Sequence, residues 1–170
     1  IGTEPYDTFS QIYKEYYLKI YKYTLFRVAD QYVAEDLVSE IFVKVLDKYN
    51  SYNPIKGKFS TWIFAIANNT IINYYKKFNR NKVVDWEQVD SHYRLEDLII
   101  EQELKEILLK AILGLDERQR SIIALKFGAN MKNREIAQML DLTESNVGTI
   151  LYRALKHLRD NLKKQGVIFE

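Results

Sequence analysis

The stretch "EIAQMLDLTESNVGTILYRAL", residues 135–155, constrains the fold of this chain more than any other. Ile136, Ala137 and Leu140 put apolar groups on one face of a first short helix. Asp141 and Leu142 make a turn, and Thr143 is a residue type that caps helix N-termini. Val147, Leu151, Ala154, Leu155, Leu158 and Leu162 then recur at helical spacing as an inward stripe. Two helices joined so tightly make a helix-turn-helix, whose second helix fits the major groove of DNA.

The rest of the chain keeps the same period. A helix is expected from Phe9 to about Ala29, rich in tyrosines at half-buried packing positions. A second runs from about Val33 to Tyr49, burying Leu37, Ile41, Val45 and Leu46 while Glu35, Asp36, Ser39, Glu40 and Lys44 stay polar. Pro54 and Gly57 then break helix propagation within "SYNPIKGKFS". A third helix is expected over Thr61–Phe78, and further ones from Leu95 to Leu113 and from Glu117 to Phe127. Residues 79–94 are polar and weakly periodic. The fold class is therefore all-α: two small helical domains, 6–80 and 96–166, joined by a flexible linker over 81–95. The C-terminal domain contains the helix-turn-helix.

Composition removes several function classes. The chain has no cysteine, which excludes disulfide frameworks and thiol chemistry, and only two histidines, His92 and His157, far apart in sequence. No catalytic constellation, metal site or cofactor motif is present. No 18-residue apolar run and no leader pattern occur, so a cytoplasmic protein without membrane insertion is expected. The net charge of +2 hides strong segregation. Residues 48–84 carry seven bases and no acid, residues 85–117 carry ten acids against three bases, and residues 118–166 carry ten bases against four acids. Salt screens beyond roughly 10 Å, so two basic blocks can each meet DNA on a nearly neutral chain. Segregated charge on a polar linker also predicts a mixture of compact and open domain arrangements whose balance shifts with salt.

Two blocks resemble a known family. "AEDLVSEIFVKVLDKYNSYNPIKGKFSTWIFAIANNTIINYYKK" is similar to conserved region 2 of bacterial sigma factors. "LDERQRSIIALKFGANMKNREIAQMLDLTESNVGTILYRALKHLRDNL" is similar to their region 4. About 15 residues of linker leave no room for the region 3 domain of larger members, which resembles the compact extracytoplasmic-function (ECF) group. The resemblance implies a non-catalytic subunit that takes core RNA polymerase to promoters through their −35 and −10 elements. Its implied partners are the β′ clamp helices and β flap of the polymerase, promoter DNA and a separate anti-sigma factor.

Candidate site residues fall into three groups. For the −35 element they are Ser145, Asn146 and Thr149 near the start of the second helix, with Thr143, Gly148 and Tyr152. Arg134, Arg153 and Lys156 suit phosphates. Here Val147, Gly148, Thr149 and Ile150 stand where many relatives have "VKSR", which removes two cations near the DNA. For the −10 element, Asn69, Asn73, Lys76, Lys77 and Arg80 share one face of the third helix. The preceding loop adds Lys56, Gly57 and Lys58, with Phe59 and Trp62 as aromatic platforms or core. For polymerase, the resemblance implies Asp36, Ser39, Glu40 and Val43, with Leu37 and Phe42 at the edge; the family often has Gln where Ser39 stands.

Two other readings compete. A sigma mimic that sequesters an anti-sigma factor should have eroded basic faces, whereas both basic blocks persist. A self-contained repressor should carry a dimerisation element, and none is evident.

Overall fold

The computed structural model describes the backbone of residues 5–78 and 96–167, and the side chains of 8–78 and 102–167. Among these residues there is no strand. The helices are α1 (Pro5–Val28), α2 (Gln31–Lys48), α3 (Phe59–Phe78), α4 (Glu96–Leu113), α5 (Glu117–Ile123), α6 (Asn133–Leu140) and α7 (Glu144–Lys164). Residues 79–95, which include Arg80, His92 and the expected linker, lie outside the described residues.

Local chemistry explains where the helices begin. α2 starts at Gln31, earlier than its apolar period suggests, because the Asp30 carboxylate accepts a hydrogen bond from the Val33 N–H at 3.0 Å. Ala29 holds the left-handed conformation at φ 52°, which ends α1 and leaves two residues between the helices. α3 starts at Phe59, directly after the Pro54–Gly57 break. α7 is capped by Thr143, whose hydroxyl oxygen accepts from the Asn146 N–H at 3.1 Å.

The helix expected over Glu117–Phe127 does not run unbroken. At Ala124–Gly128 it widens into a π-turn, in which the Ala129 N–H reaches back five residues to the Ala124 carbonyl at 2.9 Å. Leu125 is buried there, while Phe127 is half exposed. Two apolar positions also differ from their sequence expectation. Leu46 near the end of α2 and Leu155 on α7 are 46% and 41% exposed.

One continuous core runs through both halves of the molecule. α1 packs on α2 and α3, and also on α5 and the π-turn. Ile20, Tyr23, Ile41 and Phe64 thus share a cluster with Leu109, Ile122, Leu125, Met131 and Ile136. A smaller core of Leu115, Ile123 and Ala154 fixes α5 on α7. The junction between the halves is mostly apolar. It carries one exposed ion pair, Lys58–Glu135 at 3.5 Å, and a Lys105 ammonium donating to the Gln31 side-chain oxygen at 3.3 Å. A contact of this kind makes salt a minor influence on the closed arrangement, unlike the charge-driven balance expected from the linker.

Tyr23 is completely buried, and its hydroxyl accepts from the Arg27 guanidinium at 2.7 Å. Arg27 also donates to the Asn68 side-chain oxygen at 2.9 Å, and the Tyr75 hydroxyl donates to the Arg27 carbonyl at 2.8 Å. Burial raises the Tyr23 pKa above its usual 10.0, against the opposing pull of Arg27. Tyr16, Tyr21, Tyr74 and Tyr75 are raised as well, each chiefly by burial. In the unfolded chain these phenols ionise near pH 10, whereas the folded chain keeps them neutral. Their stabilising contribution is therefore intact below pH 10 and is lost as pH rises towards the folded pKa. The melting temperature should hold steady to about pH 9 and fall steadily above pH 10, less steeply in Tyr23→Phe. A flat melting profile from pH 8 to 11 counts against this.

Candidate nucleic-acid and polymerase interfaces

Three surfaces emerge from this frame. The first is the outward face of α7. Ser145, Thr149, Tyr152, Arg153 and Lys156 are all exposed on it, Tyr152 by 70%, and Gly148 is half exposed among them. Asn146 and Thr143 are exposed at the helix start. The turn before α7 is tight because Asp141 adopts the left-handed conformation at φ 54°. In this state the Thr149 hydroxyl donates to the Ser145 carbonyl at 3.1 Å, so its hydrogen points into its own helix. Arg134 is exposed near the start of α6. Its neighbour Glu135 accepts from the Lys132 backbone N–H at 2.9 Å, and this bond, helped by Lys58, holds the carboxyl below its usual pKa.

The second surface is the loop ahead of α3 and the outer face of that helix. The Tyr52 hydroxyl donates to the Gly57 carbonyl at 3.2 Å and closes the loop. Tyr52, Phe59 and Trp62 form a mutual aromatic cluster with ring centroids 5.1–5.5 Å apart. Phe59 and Trp62 are half-buried, so each supports the loop and still shows part of a ring. Lys56, Gly57 and Lys58 are exposed at the loop end. Between them and Pro54 stands Ile55, an aliphatic side chain 94% exposed. Asn69, Asn73, Lys76 and Lys77 continue the exposed face along α3.

The third surface is a groove between α1 and α2. Phe9, Tyr13 and Tyr17 line one wall; Glu35, Ser39, Val43 and Leu46 line the other, with Val38 and Phe42 at the base. The Phe42 ring lies 4.8 Å from Tyr13 and 6.2 Å from Tyr17. Val43 is 58% exposed, and Tyr13 and Tyr17 are 42% and 37% exposed. Leu37 and Phe42 are buried, so they carry this surface from beneath rather than forming its rim. Asp36 is exposed, and Glu40 is tied to Lys44 by an ion pair at 2.7 Å.

Two family models match the chain, one in each half. The sigma-70 region 2 family matches residues 12–81, and the sigma-70 region 4 family matches residues 105–158. The RNA polymerase sigma factor SigV of Bacillus subtilis is 32% identical over 160 residues, covering 86% of this chain and 89% of that protein. The chain belongs to the sigma-70 family of RNA polymerase sigma factors. It is a sigma factor of the ECF type, and it serves transcription initiation at promoters. The ECF RNA polymerase sigma factor BldN of Streptomyces coelicolor is 28% identical over 156 residues; the match spans 89% of this sigma factor but 59% of BldN. Among solved structures, RpoE in complex with the anti-sigma factor NepR from Bartonella quintana shares the fold. Its TM-score is 0.64 at 19% identity, over 90% of this chain and 97% of that one.

Sequence reasoning missed two features of this sigma factor. Ile55 has no periodic signal, since it sits in a loop. The aromatic wall of Phe9, Tyr13 and Tyr17 reads as packing, and only the placement of α2 leaves its outer side open. Among the described residues, no group of His, Asp and Glu could hold a metal ion, and no helix is long and apolar enough to cross a membrane.

Proposed function

We propose a division of labour among the three surfaces. The α1–α2 groove, with Asp36, Ser39, Glu40 and Val43 at or beside it, docks on the β′ clamp helices of core polymerase. The loop around Lys56, Gly57 and Lys58 and the α3 face of Asn69, Asn73, Lys76 and Lys77 engage the −10 element. The N-terminal half of α7 reads the −35 element, and the domain around it meets the β flap. Residues 6–80 and 96–166 are the two functional domains. The protein works in the cytoplasm without a catalytic or cofactor role, under the control of an anti-sigma factor.

The observation that carries this reading is the −10 loop. Its bases, Lys56 and Lys58, directly follow a nearly fully exposed isoleucine, with an aromatic cluster nearby. An exposed aliphatic group at a cationic surface suits insertion beside a base step, and the aromatics suit an extruded base. Ile55→Ser should leave folding and core binding unchanged while slowing promoter opening roughly tenfold, about 1.4 kcal/mol of barrier. Permanganate reactivity of −10 thymines measures this. Opening at the wild-type rate would remove the loop from the proposed role.

A further inference from the structure

The outward face of α7 is polar at its start and basic further along, with an apolar level between. Ser145, Gly148, Thr149 and Tyr152 fall at i, i+3, i+4 and i+7, so they form one stripe. Ser145 and its neighbour Asn146 are exposed polar side chains at the N-terminal end. One turn on, Gly148 offers no side chain, and a Cβ there would stand in open space. Gly128 differs, since a Cβ there would meet the Tyr23 Cα and N at 2.8 Å, and backbone packing alone demands glycine.

Thr149 is exposed beside Gly148, yet its hydroxyl is committed to the helix. It donates its one proton to the Ser145 carbonyl at 3.1 Å. The Cβ is tetrahedral, so an oxygen turned back to the preceding turn leaves the γ-methyl on the open side. At this level the helix therefore shows a base edge no free donor, only a methyl group. In the major groove the C5-methyl of thymine is the matching apolar feature, and cytosine lacks it. Resting on the −35 role proposed above for α7, we infer that Thr149 selects a thymine of the −35 element by methyl–methyl contact and not by a hydrogen bond. The open space at Gly148 lets the base edge come that close, and polar reading falls to Ser145 and Asn146.

Uracil differs from thymine by that methyl alone, which makes the test direct. Core polymerase carrying the full-length chain is offered promoters with a randomised −35 element, and the preferred sequence is read from barcoded transcripts. Deoxyuridine then replaces each thymine of that sequence in turn, on both strands. One replacement should lower transcription about fourfold, the scale of one methyl group withdrawn from water. Thr149→Val keeps an outward methyl and should keep this preference for thymine over uracil. Thr149→Ser has none and should lose it. A preferred sequence with no thymine sensitive to uracil would overturn the proposal. So would Thr149→Ser that keeps the preference, or Thr149→Val that loses it; the last would make the threonine oxygen the reading atom. Position 149 is exposed, so both variants should melt with the wild type, and should one not fold the other decides. No preferred sequence at all would overturn the −35 assignment itself, and this inference with it.

Discussion

Asp36→Arg should weaken association with core polymerase on the order of a hundredfold, about 2.7 kcal/mol, without lowering the melting temperature. Asp36 is exposed on α2, beside the groove, and has no ion pair to lose among the described residues. Reversal therefore costs the isolated protein little, since isolated surface charges contribute little to stability. At a docked surface, like charges brought together cost several kcal/mol. Fluorescence anisotropy of the labelled full-length chain, titrated with core polymerase, gives the number. An unchanged dissociation constant would move the docking surface away from α2.

The second large effect concerns Gly148. A Cβ there meets nothing within 4 Å, so no neighbour in the chain demands a glycine. Glycine nevertheless costs roughly 1 kcal/mol of helix propensity relative to alanine. With no internal reason for it, the −35 role proposed above supplies one outside the chain: close approach of the α7 backbone to DNA. Gly148→Lys should therefore stabilise the fold slightly yet lower −35-dependent transcription about tenfold, the scale of one lost base-pair contact. If the site is merely short of charge, the lysine instead adds a phosphate contact, tightens binding regardless of sequence and steepens its salt dependence. Templates with an intact and a scrambled −35 element separate the two. A gain on both would refute close approach.

The helix-turn-helix was legible because its signals are local. Thr143 caps a helix through atoms three residues away, and the exposed face from Ser145 to Lys156 follows from 3.6-residue geometry alone. Pro54 and Gly57 end helices by their own conformational limits. What stayed hidden depends on contacts distant in sequence. Periodicity says that Leu46 and Leu155 share a stripe with buried neighbours, but not that packing leaves these two exposed. It marks Tyr13 and Tyr17 as packing residues, but not that α2 covers only their inner side. The π-turn carries no local signature either. Its meaning lies in Tyr23, more than a hundred residues earlier.

The placement of both contacts on α1 has a mechanical consequence. This one helix of 24 residues, about 36 Å long, carries the aromatic wall of the groove between Phe9 and Tyr17 and the Gly128 contact at Lys22 and Tyr23. The two ends do not compete for the same turns. A partner seated in the groove thus leaves the packing at Gly128 untouched, and the two surfaces of α1 can be altered one at a time. A change at Tyr13 or Tyr17 reshapes the groove wall alone, whereas a change at Gly128 pushes on the backbone of the same helix about two turns further along.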